Sequence, residues 1–127
     1  MRVLIVEDDP LVGSLFERIL SEEGYVISLV RTGRDAIRQV SDSDCYLGIV
    51  DMSLPDMDGA YAIQLILSER PYMKILAVSG MLVEGMEAIA LRAGAAAVLA
   101  KPASPNELRA AVFHLIDPTD RWMTITV

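Results

Sequence analysis

One cysteine is all the chain has, and that scarcity excludes two kinds of construction at once. Cys45 alone cannot close an internal disulfide or build a cysteine metal site, so a reducing cytoplasm is the expected setting. Positive charge is also short. Eleven lysines and arginines against 18 acids leave a net charge of -7, which argues against nucleic acid as a direct ligand. The basic residues gather only sparsely, as at Arg31, Arg34 and Arg38. No apolar run approaches the roughly 18 residues of a membrane span. The opening Met1-Arg2-Val3-Leu4-Ile5-Val6 meets Glu7 too soon for a signal peptide, whose apolar stretch needs about 7 residues or more. Internal repeats, low-complexity segments and a domain boundary are all lacking. What remains is a 127-residue chain, 53% hydrophobic and 23% charged, which excludes disorder and suits one domain with one filled core.

Strand-like and helix-like segments alternate along that chain. Apolar runs predict strands at Val3–Val6, Tyr25–Val30, Leu47–Asp51, Lys74–Val78 and Ala97–Ala100. Asp9 as N-cap and Pro10 at the first helical position open a first helix. Leu11, Leu15, Ile19 and Leu20 recur along it until Gly24. Thr32 opens a second helix through Ala36, Ile37 and Val40, closed by the polar residues 41–44. Pro55 and Gly59 punctuate a loop before a third helix bearing Ile63, Ile66 and Leu67. A fourth spans roughly Val83 to Ala93 and stops at Gly94. Ser104-Pro105 with Glu107 reads as the capped start of a fifth, with Leu108, Ala111, Val112 and Leu115 as its apolar stripe. Five βα units with continuous apolar strands imply an α/β domain, a parallel sheet covered on both faces.

The chemistry collects at the strand ends. The first strand runs into Glu7-Asp8-Asp9, the third ends at Asp51, the fourth runs into Ser79 and the fifth into Lys101. Parallel strands would bring these groups to one crevice. Like charges held close raise one another's pKa unless a cation lies between them. Oxygen-only donors suit a hard divalent ion, and Mg²⁺ needs only one or two carboxylates plus waters. A lysine opposite acids can be a plain ion pair, and a serine after a strand a plain cap. Together, however, a metal, an ammonium and a hydroxyl around one carboxylate form a site for a phosphoryl group, with Asp51 as the attacking nucleophile.

Short motifs occur in order: Val-Glu-Asp-Asp-Pro at 6–10, Asp-Met-Ser-Leu-Pro-Asp-Met-Asp-Gly at 51–59, Val-Ser-Gly at 78–80, Ala-Gly-Ala at 93–95 and Lys-Pro at 101–102. On these residues the chain resembles the CheY-like receiver domain of bacterial two-component response regulators over residues 1 to about 116. The resemblance implies a flavodoxin-like (βα)5 three-layer sandwich of strand order 2-1-3-4-5, with residues 117–127 as a C-terminal extension. It implies Asp51 as phosphoacceptor, taking a phosphoryl group from a phosphohistidine on a sensor kinase or phosphotransfer protein. Asp8 and Asp51 would be direct Mg²⁺ ligands, Ser53 would add its backbone carbonyl, and Glu7 would act through water. Ser79 matches the switch hydroxyl and Lys101 the phosphate-pairing lysine, with a Lys101-Pro102 bond that is commonly cis in the family. Asp9 is assigned to capping rather than to metal.

Departures from the family concern output. The aromatic residue usual three places before the lysine is Val98 here, and the Phe that often follows Lys-Pro is Ala103. The fourth helix is poor in charge, with Met81, Leu82, Val83 and Met86 near its start, which makes it a core element or a partner surface. The expected function is a stand-alone receiver, a binding switch and not a turnover enzyme. It would signal to an unidentified downstream protein, with homodimerisation through the fourth helix, fifth strand and fifth helix or through the extension. A receiver fragment of a larger regulator is the alternative. An aspartate-nucleophile phosphatase of the haloacid dehalogenase type would want a second Asp where Ser53 stands, and flavin binding would want a less acidic first loop. His114 reads as a surface or packing residue, Cys45 as a small edge-of-core residue, and Trp122 as an anchor for the tail.

Overall fold

The structure, a computed structural model, describes residues 1–80 and 85–116. Five strands alternate with five helices: β1 (Arg2–Val6), α1 (Pro10–Glu22), β2 (Val26–Val30), α2 (Gly33–Asp42), β3 (Leu47–Asp51), α3 (Gly59–Glu69), β4 (Lys74–Ser79), α4 (Met86–Ala93), β5 (Ala97–Ala100) and α5 (Pro105–Ile116). All pairings are parallel, in the order β2-β1-β3-β4-β5. This is the flavodoxin-like arrangement expected from the sequence.

Strand alternation divides the core into two layers. Leu4, Val6, Val50, Ile75 and Ala77 face α2, α3 and α4, where they meet Ala36, Val40, Ala62, Ile63, Ile66 and Ala90. Val3, Ile5, Leu47, Ile49, Leu76 and Val78 face α1 and α5, against Phe16, Ile19, Leu20, Leu108 and Val112. Each fully buried Leu, Ile or Val contributes about 1.5–3 kcal/mol relative to exposure, so the central strands β1, β3 and β4 carry most of the stabilisation. Both edge strands, β2 and β5, are only half-buried along most of their length.

Local signals set the helix starts. Asp9 Oδ1 accepts from the N–H groups of Leu11 (2.9 Å) and Val12 (3.4 Å), so it is the cap of α1. Ser104 and Glu107 exchange hydrogen bonds between side chain and backbone N–H (3.1 and 3.0 Å), a complete capping box on α5. The apolar pattern of α1 needs correction. Leu11 is 81% and Leu15 44% exposed; the core-facing residues are Gly13, Phe16, Ile19 and Leu20. The Leu11–Leu15 spacing lies on a stripe turned away from the sheet, and helical periodicity alone does not say which of two apolar stripes is covered.

Two boundaries also move. Gly59 belongs to α3, behind the N-cap Asp58, rather than to the loop. A Cβ there would lie 2.4 Å from Met52 Cα and 2.9 Å from the Asp51 carbonyl oxygen, so only glycine lets α3 begin hard against the end of β3. Helix α4 begins at Met86, which packs half-buried against the core, while Met81, Leu82 and Val83 lie outside the described residues. The extension 117–127, with Trp122, also lies outside them. Cys45 is fully buried in the core, and His114 is exposed in the last turn of α5.

Candidate functional site

Sheet register builds the site. Val6 pairs with Val50, so Glu7 stands opposite Asp51; Asp51 pairs with Val78, and Ser79 with Ala100. The next residue on β5's side is Lys101, whose N–H donates to the Ser79 carbonyl at 2.8 Å. Four reactive positions therefore end at one level of the sheet. They surround the point where the connections from β1 and β3 leave in opposite directions, the ligand crevice of open α/β sheets.

Glu7, Asp51 and Ser79 are only 3%, 5% and 4% exposed, whereas Asp8 is open to solvent. Carboxylate oxygens of Glu7, Asp8 and Asp51 lie within 4.8 Å of one another. Lys101 reaches into this cluster: its Nζ is 3.2 Å from Asp51 Oδ2 and also pairs with Glu7 Oε1. The other Asp51 oxygen, Oδ1, accepts the Ser53 backbone N–H at 3.0 Å. Glu7 Oε2 accepts the Asp9 N–H at 3.2 Å. The Lys101-Pro102 peptide is cis.

The electrostatics follow from this crowding. Burial pushes Glu7 up to about 7; the Lys101 ammonium opposes the rise, and the neighbouring Asp51 carboxylate adds to it. For Lys101, burial works against the charged form, but Glu7 and Asp51 more than offset it and raise its pKa. Three carboxylates and one ammonium leave a formal surplus of two negative charges, which a divalent cation would neutralise. The donors are all oxygen and close together, a set that fits Mg²⁺.

Two positions depart from the expected pattern, one within β5 and one just after it. Val98 is half-buried against the layer of α3 and α4. Ala103 lines a cleft of about 300 Å³ with Val12, Leu15, Phe16, Gly80, Lys101 and Pro102. That cleft gives the outward Leu15 a place beside Lys101.

One feature of the site's surroundings escaped the sequence reading. Asp56, in the loop after β3, accepts the N–H groups of Gly33 (2.8 Å) and Arg34 (3.0 Å) at the start of α2. These two N–H groups hold its carboxyl below the ordinary value. The partners are 23 and 22 residues away, so no local spacing could have shown the contact.

Fold and site together define a doubly wound α/β domain that carries an acid cluster and a lysine at its switch point. Residues 3–113 match the response regulator receiver domain. The chain belongs to that family, the receivers of two-component systems, in which phosphoaspartate and Mg²⁺ binding are typical. It is 33% identical over 121 residues to a protein-glutamate methylesterase/protein-glutamine glutaminase of Caulobacter vibrioides, covering 92% of this chain and 34% of that protein. It is 32% identical over 119 residues to the transcription factor SKN7 of Candida albicans, covering 93% of this chain and 21% of that protein. The crystal structure of a CheY-like receiver domain protein from Methanospirillum hungatei matches with a TM-score of 0.88 at 29% identity, over 94% of this chain and 96% of that one. The chain thus spans about a fifth to a third of the length of the first curated relatives it matches.

Proposed function

We propose that Asp51 is the phosphoacceptor of a phosphorylation-controlled binding switch. The observation that carries the reading is Lys101 Nζ held 3.2 Å from Asp51 Oδ2, within a cluster of three carboxylates at the sheet's switch point. In this reading the Asp51 carboxylate attacks the phosphorus of a phosphohistidine on a sensor kinase or phosphotransfer protein. The P–N bond breaks, its electron pair stays on the imidazole nitrogen, and a P–O bond forms to Asp51. Lys101 exchanges its contact with the carboxylate for one with a phosphoryl oxygen while keeping Glu7 as its counter-ion. Ser79 supplies a hydroxyl to a second phosphoryl oxygen. Asp8, Asp51 and the Ser53 carbonyl would hold Mg²⁺, and Glu7 would act through water. The bound ion would supply neutralisation of the charge on the transferring group.

Output is by protein–protein contact with a downstream partner, in a cytoplasmic setting that the buried lone Cys45 favours. The domain phosphorylates itself and loses the group slowly, without turning over a separate substrate. Homodimerisation would use α4, β5 and α5 or residues 117–127. A second reading, the receiver portion of a longer regulator, is favoured by the much greater length of the methylesterase and transcription-factor relatives.

Incubation with Mg²⁺ and a small acyl phosphate, followed by intact-mass measurement, tests the reading. Wild type is expected to gain one phosphoryl group and Asp51→Asn none. A wild type left unmodified under conditions that label a control receiver overturns it.

A further inference from the structure

The first three amides of α2 have no partners within the helix, and two of the three are satisfied from outside it. Thr32 Oγ1 accepts from Asp35 N–H at 3.0 Å, the ordinary local cap. Asp56 takes the other two, one carboxylate oxygen on each. The next residue seals the contact. A Cβ on Gly33 would lie 2.5 Å from Met57 Sδ, so the helix start is a glycine pressed against Met57.

This contact pins the tip of the loop that begins at Asp51. The base of the same loop is fixed separately, by Ser53 N–H on Asp51 Oδ1, a bridge between Ser53 and Asp58, and Gly59 N–H on the Met52 carbonyl at 3.2 Å. The segment 52–58 is therefore held at its tip as well as at its base, and Ser53 lies between the acid and the pinned tip. Without Asp56, two helix-terminal N–H groups turn to water and the tip loses its only hydrogen bonds to α2 among those of the described residues.

We propose that Asp56 is a positioning residue for the Asp51 site: by capping α2 across the fold it fixes the loop that presents Ser53 to the metal. This rests on the reading of Asp51, Asp8 and Ser53 as the Mg²⁺ site. Asp56 touches none of those groups, so its effect is on affinity for the ion and not on the intrinsic chemistry. Groups bonded directly to a metal ligand alter affinity by about 10–100-fold when removed, and Asp56, which acts one step further back, is expected at the low end of that range.

The experiment compares wild type, Asp56→Ala, Asp56→Asn and Val40→Ala. Mg²⁺ affinity is read by calorimetry, amide exchange at Gly33 and Arg34 by NMR, and phosphorylation by acyl phosphate across a Mg²⁺ series. Val40 is buried on α2 about 10 Å along the helix from Gly33, so its truncation weakens the packing of α2 without touching the Asp56 contact. Asp56→Ala is expected to lose protection at both amides and to bind Mg²⁺ about tenfold more weakly. Its phosphorylation rate should return toward wild type at saturating Mg²⁺. Asp56→Asn, with one acceptor oxygen, should fall between, and Val40→Ala should keep wild-type affinity despite lower stability. An Asp56→Ala that binds Mg²⁺ as wild type does, or a Val40→Ala that loses as much affinity, overturns the positioning role alone. A wild type that takes up neither Mg²⁺ nor phosphoryl overturns the site reading, and this role with it.

Discussion

The two flanks of the sheet's carboxyl edge are built on different principles. At the β1–β3 end, Glu7 and Asp51 are buried acids tied to one lysine, and each oxygen near the centre has a named partner. At the β4–β5 end, the residue expected to be an aromatic lever is Val98, a half-buried side chain packed by shape alone. Electrostatic partners in a buried crevice are specified one by one, because an unpaired charge there is costly. An apolar contact on an edge strand tolerates exchange at small cost. The end that holds the acids and the lysine is thus fixed by its charges, while the β5 edge is free to carry a different apolar side chain.

The largest expected effect follows from removing the shared cation. Lys101→Ala strands Glu7 and Asp51 together, and in metal-free buffer near neutral pH it should cost about 3 kcal/mol in urea unfolding. Adding Glu7→Gln to that variant should restore part of the loss. If Lys101→Ala unfolds like wild type, the β1–β3 end is no more tightly specified than the β5 edge.

A titration should sharpen the contrast further. Folded Glu7 keeps its proton up to about 7, whereas its ordinary value is 4.5. Between these values the folded state binds more protons than the unfolded chain, so stability falls as pH rises through the window. In the absence of divalent ions, the stability of wild type relative to Glu7→Gln should decline from about 4.5 to about 7 and then level off. A flat difference would remove burial as the dominant influence on Glu7.

The smallest effect belongs to the other flank. Val98→Ala should cost about 1–2 kcal/mol and leave the initial rate of phosphorylation by acyl phosphate unchanged. A rate loss approaching that of Asp51→Asn would show that the Val98 side chain takes part in the chemistry and would break the comparison.

Much of this was legible in the chain before folding. Asp9, Thr32 and the Ser104–Glu107 pair act on N–H groups two or three residues away, so spacing alone identifies them as caps. Strand ends were legible because apolar runs stop at Glu7, Asp51, Ser79 and Lys101. Leu11 and Leu15 misled because both stripes of α1 are apolar, and only the covering sheet chooses between them. Gly59 looked like loop punctuation because its reason, the nearness of the Met52 backbone, is a distance in space.

The sequence by itself determined the alternating α/β order, the helix caps and the identity of the groups at each strand end. These depend on contacts within about one turn or along one strand, where chain geometry leaves few choices. The tertiary structure decided the rest: the register that sets Glu7 opposite Asp51 and brings Lys101 between them, the outward turn of Leu11, and the reach of Asp56 to Gly33. Such pairings join residues more than twenty positions apart, and only the packed sheet and helices bring them within bonding distance.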